Sequence, residues 1–70
     1  MEFSERAAIR IKHWMEHNES HLKDYEQFAA QLEEARASRS AAHIREMAAR
    51  TREIDVCLQK ALAALEDAGA

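Results

Sequence analysis

A chain of 70 residues is one domain at most, and its formal net charge of −3 gives it no general attraction for nucleic acid or an anionic membrane surface. It has no Pro and one Gly, and its β-branched residues are five Ile and Val plus Thr51, so a sheet of any size is excluded and helix is favoured throughout. Cys57 is the only cysteine, so no internal disulfide can form and a reducing compartment is expected.

The opening residues, Met1-Glu2-Phe3-Ser4-Glu5-Arg6, lack a basic stretch followed by an apolar core. No apolar run approaches the ~18–20 residues of a membrane span. The expectation is a soluble cytoplasmic protein, with neither membrane nor nucleic acid among its partners. So short a chain buries little apolar surface alone. With disulfides excluded, the remaining remedies are a metal and oligomerisation.

The first predicted helix runs from about residue 4 to about residue 35. Ala8, Ile11, Met15, Asn18, Leu22, Tyr25, Ala29 and Leu32 recur at alternating spacings of four and three, the heptad seam of a packed bundle. Phe3, Ala7, Trp14, His21, Phe28 and Ala35 widen that seam on one flank, and Glu5, Lys12, Glu16, Glu19, Lys23, Glu26 and Glu34 face water. A turn is expected over residues 36–40, marked by the serines and the loss of apolar residues, with Ser38 or Ser40 as N-cap of the next helix. A helix running unbroken through this stretch is the competing arrangement, because Ser is no strict breaker.

The second predicted helix runs from about residue 41 to about residue 67. Ile44, Met47, Thr51, Ile54, Leu58, Ala61, Leu65 and Ala68 form its seam, Ala48 and Leu62 thicken it, and Gly69 suits a left-handed C-terminal cap. Residues 1–70 therefore read as a single all-α domain, an antiparallel helical hairpin. Trp14, Phe28, Met15, Met47 and Leu58 carry more apolar surface than one partner helix covers. A homodimer forming a four-helix bundle is the smallest closed solution.

The chemistry lies in His13-Trp14-Met15-Glu16-His17-Asn18-Glu19-Ser20-His21, followed by Tyr25. Histidines four apart climb one side of a helix, which carries His21 into the seam region, His17 to its edge and His13 further out. Asn18 sits in the seam itself. A His pair at i, i+4 presents two imidazoles to one ion, as in HExxH zinc sites, although the intervening residues here are Asn-Glu-Ser. If residues whose numbers total about 76 lie level across the hairpin, Asp55 stands beside His21 and Thr51 beside Tyr25. Asp55 then completes a two-His, one-carboxylate set or orients an imidazole from behind.

The expected metal site is thus His17, His21 and Asp55, supported by Asn18 and Tyr25. His13, His43, Glu46 and Cys57 are lesser candidates. His13-x-x-Glu16 and His43-x-x-Glu46 reverse the Glu-x-x-His order of diiron bundles, so no ferritin-type centre is read. Haem is disfavoured by the absence of C-x-x-C-H and the few aromatics.

The run His13-Trp14-x-x-His17-Asn18-x-x-His21, with Tyr25 after it, resembles the signature of small uncharacterised bacterial and archaeal two-helix domains. The likeness covers mainly residues 11–28. It implies an Ala/Leu/Glu-rich second helix and no established activity.

Three functions remain open on this sequence. The first is a bundle holding a transition metal, Zn, Ni, Cu or Fe, through the histidines of its first helix. The second is a metal-free oligomerisation or protein-interaction module whose His, Asn and Asp residues form a polar layer that fixes register. The third is an enzyme, in which an open metal position activates water.

Overall fold

The computed structural model describes the backbone of residues 2–69 and the side chains of residues 2–67. Two helices, α1 (Phe3–Glu34) and α2 (Ser38–Gly69), are joined by residues 35–37 and lie antiparallel. The expected hairpin is present, with both helices slightly displaced from their predicted bounds. Gly69 is the last helical residue of α2 rather than its cap, and the side chain of Ala68, placed in the seam by its spacing, lies outside the described residues. No described helix is long and apolar enough to cross a membrane.

The turn is tighter than its composition suggests. Arg36 takes the left-handed conformation at φ 63°. The Arg36 amide then bonds the Glu33 carbonyl at 3.0 Å and the Ala37 amide bonds the Leu32 carbonyl at 2.8 Å, which are the paired bonds of a Schellman ending. The Ala37 carbonyl already accepts from the Ala41 amide, so Ala37 occupies the N-cap position expected for Ser38 or Ser40. Neither serine is needed, because the backbone reversal is closed by α1's own carbonyls.

This early reversal sets the register. Asn18 lies against Asp55, so residues whose numbers total 73 are level, three short of the expected value. The predicted seam of α1 holds at every position, each of its members being half-buried or buried. The seam of α2 is turned by one position. Ala41, Ile44, Ala48, Thr51, Asp55, Leu58, Leu62 and Leu65 face α1, while Met47, Ile54 and Ala61 are exposed. Two apolar rows on α2 share Ile44, Thr51, Leu58 and Leu65, and the bulkier row reads as the core from sequence. A three-residue connection holds the helices close, and close helices select the smaller Ala41 and Ala48 for the contact.

The two flanks of this seam differ. On one, Glu33 pairs with Arg45 at 2.7 Å and Glu26 pairs with Arg52. All four follow a seam residue of the same heptad type, so these flanking rows of α1 and α2 face each other. On the opposite flank the equivalent rows are Ala7, Trp14, His21 and Phe28 on α1, and Met47, Ile54 and Ala61 on α2. Nothing among the described residues covers them: Trp14 is 51% exposed, Phe28 50%, Ile54 53% and Met47 39%. Among the described residues the only buried apolar side chains are Ala29, Ala41 and Ala48. The hairpin is 10 Å thick in its shortest dimension, one helix layer, whereas a domain core is built between two.

Candidate metal centre

α1 carries His13, His17, His21 and Tyr25 up one side in successive turns, and the rings touch in sequence. The His13 and His17 rings stack with centroids 6.5 Å apart, His17 and His21 meet edge to face at 4.4 Å, and His21 stacks on Tyr25 at 5.8 Å. The shortest contact is a hydrogen bond between the Nε2 atoms of His17 and His21, 2.8 Å apart, in which one ring donates and the other accepts. Two nitrogens bound to one tetrahedral ion at ~2.0–2.1 Å stand ~3.3 Å from each other. The pair therefore needs to open by only ~0.5 Å, a small rotamer adjustment, to grip an ion.

His21 is half-buried between the exposed Trp14 and Phe28, each seven residues away on the same flank, and His17 is exposed beside it. The two imidazoles thus stand at the middle of the uncovered face. Trp14 and Phe28 are exposed flank residues of that face rather than hairpin core.

Asp55 does not stand beside His21. Its Oδ1 accepts a hydrogen bond from Asn18 Nδ2 at 3.0 Å, and the carboxylate lines a groove with Lys12, Glu16, Glu19 and Gln59 on the ion-paired side of the hairpin. The earlier reversal at Arg36 moves α2 by about one helical turn relative to the expected register, which carries Asp55 past His21 to Asn18. Thr51 is likewise displaced from Tyr25, and its hydroxyl donates to the Met47 carbonyl at 2.9 Å within its own helix. The direct Asn18–Asp55 bond is the feature that spacing alone missed. Both residues lie in the seams of their helices, but pairing them requires the length of the turn.

The lesser candidates lie apart. His43 and Glu46 approach to 3.8 Å on the outer face of α2, yet Glu46 is bonded by Arg50 at 3.0 Å, and that guanidinium holds its carboxyl below the ordinary 4.5, with His43 adding a smaller pull. Cys57 is an exposed free thiol on α2. Among the described residues no three His, Cys, Asp or Glu side chains are grouped closely enough to hold a metal ion within one chain.

Residues 7–65 match the family described as Domain of unknown function (DUF8180), and the chain belongs to it. No curated protein and no solved structure matches the chain significantly.

Proposed function

We propose that this DUF8180 chain is a small metal-binding helical hairpin that holds a transition-metal ion, of the class Zn, Ni, Cu or Fe, through Nε2 of His17 and Nε2 of His21. The observation that carries the reading is the convergence of those two nitrogens to 2.8 Å on one exposed helical face. Imidazole nitrogen suits these four metals and disfavours Mg and Ca, which take oxygen. Asn18 and Asp55 support the site indirectly. Their hydrogen bond ties α1 to α2 at the seam position that follows His17 in the chain, and Tyr25 limits the His21 ring by stacking on it.

The test is titration of tag-free protein with Zn(II) or Co(II), followed by calorimetry or by the visible spectrum of cobalt. Wild type should bind with a defined stoichiometry and melt higher in metal than in chelator. His17→Ala and His21→Ala should each weaken binding at least tenfold while leaving helicity unchanged. Identical melting of wild type with metal and with chelator, together with no uptake, would sink the reading.

A second reading has its own support. The Asn18–Asp55 bond is a polar pair inside an otherwise apolar seam, the kind of contact that fixes register in coiled coils, and it fits an oligomerisation or interaction module without metal. Under that reading the histidine variants leave assembly and stability untouched.

A further inference from the structure

The uncovered flank and the histidine pair are one feature. We infer that a second copy of this chain seats on the Trp14, Phe28, Met47 and Ile54 face, with α1 running antiparallel to the second copy's α1. His17 and His21 of both copies then close a four-imidazole metal site on the two-fold axis. The inference rests on the metal reading above and names what completes it.

The need for a partner follows from area. The chain exposes 5526 Å², against ~4,450 Å² for a compact monomer of 8.0 kDa. Its radius of gyration is 16.0 Å, where a compact chain of this length has ~11 Å. The excess surface, ~1,100 Å², is of the order of the ~800 Å² that each partner buries in a standard stable interface. Among the described residues Trp14, Phe28, Met47 and Ile54 stand exposed together on the flank that carries no ion pair, while the other large exposed apolar side chains, Phe3, Ile9 and Val56, lie off it. An isologous face-to-face dimer is the smallest assembly that covers it.

The choice of a second copy, and of its direction, follows from position. His17 and His21 straddle the midpoint of α1, which spans Phe3–Glu34. A two-fold axis crossing α1 between them places His17 level with the second copy's His21, and His21 level with the second copy's His17. All four Nε2 atoms then lie at one height. Arg10 and Asp24 stand seven residues to either side of His17 on the same row. In this antiparallel arrangement each Arg10 stands four residues, ~6 Å along the helix axis, from the level of the second copy's Asp24, so opposite charges face each other across the interface twice. A parallel pairing sets like charges together instead.

One chain offers two nitrogens and, among the described residues, no third ligand. Zinc-type ions take four, and a structural site has all four filled by protein. Two copies supply that number with no ligand left over. The ion would tie the two hairpins at the centre of the interface, and the apolar side chains on either side would exclude water from it.

The experiment measures metal content and mass together on tag-free protein, with Co(II) as spectroscopic probe and light scattering for mass. The expected result is one cobalt per two chains, a tetrahedral visible spectrum, and a mass near twice 8.0 kDa that falls on adding chelator. His21→Ala should lose the spectrum. A packing loss at His21 would mimic loss of the site, so Trp14→Ala serves as the second variant. It keeps every ligand, so its metal affinity should fall at least tenfold and become dependent on protein concentration, with helicity retained. One metal per chain, in a monomer or a dimer, overturns the four-imidazole site and leaves the His17–His21 site standing. A dimer that takes up no metal overturns both.

Discussion

The two flanks of the hairpin share a backbone, a seam and a heptad spacing, yet they are finished to different degrees. Along one, Glu26 and Glu33 meet Arg52 and Arg45 in two ion pairs that join the helices. Along the other, Trp14, Phe28, Met47 and Ile54 line up on both helices and find none. Internal ion pairs satisfy a surface that stays in water, whereas apolar rows broken only by His21 call for a layer that the described residues do not supply. The histidines sit on the unfinished side. Their chemistry is therefore bound up with whatever closes it.

The comparison is broken most directly by exchanging the characters of the flanks. Phe28→Glu puts a carboxylate into the proposed interface, and self-association should weaken by about 2–4 kcal/mol, read by sedimentation equilibrium with metal present. Glu26→Lys reverses one charge on the finished flank and should cost only about 0–1 kcal/mol of hairpin stability, since both partners in the pair are about half exposed. Equal effects from the two substitutions would mean that the flanks do not differ in role.

Between the flanks lies the seam, and its polar pair is the next largest lever. Asp55→Ala leaves the half-buried Asn18 amide without its acceptor and should destabilise by about 1–3 kcal/mol in urea unfolding. Replacing both residues by Leu should recover that loss, or exceed it, while relaxing the register that the pair enforces. If the double variant keeps wild-type metal affinity, register is held elsewhere and the Asn18–Asp55 bond is only local.

Much of this was legible before any coordinates. Helix content follows from the near absence of Gly and Pro, and the α1 seam from its unbroken alternation of four and three. The α2 seam was legible only in part: Ile44, Ala48, Thr51, Asp55, Leu58, Leu62 and Leu65 fall within its apolar sector, but Met47, Ile54 and Ala61 form as good an alternation as Ala41, Ala48, Asp55 and Leu62. What separates the rows is how closely the helices approach, a tertiary property. The turn was expected a few residues late, over 36–40 rather than 35–37, for a local reason. Arg36 occupies a left-handed position that Gly usually fills, so the residue that ends α1 bears no sequence mark. The site was half legible in consequence. His17 and His21 belong to one helix, and spacing alone brings them together, whereas Asp55 depends on a register that the unmarked turn decides.

That position makes a smaller and cleaner test. Arg36→Gly removes a side chain from a left-handed backbone without touching either flank, and should stabilise the hairpin by about 1 kcal/mol in thermal or urea unfolding. It should leave metal affinity and association unchanged. Destabilisation instead would mean that the Arg36 side chain makes a contact worth more than the backbone conformation costs.

The smallest effect lies outside both flanks, at Glu46. Arg50, one turn along α2, bonds its carboxylate at 3.0 Å and holds the group below its ordinary 4.5. A carboxylate whose folded value is depressed contributes stability that is fully present above the unfolded value. That contribution is lost as the pH falls through the depressed one. Glu46→Gln should therefore be slightly less stable than wild type near neutrality, and the difference should close as the pH falls through the depressed value. Thermal melts of the two proteins across that range, followed by helical circular dichroism, give the comparison. A gap that persists unchanged into acid would assign the effect to side-chain packing rather than charge. With the pair fully exposed, a gap that also shrinks at high salt is the expected signature.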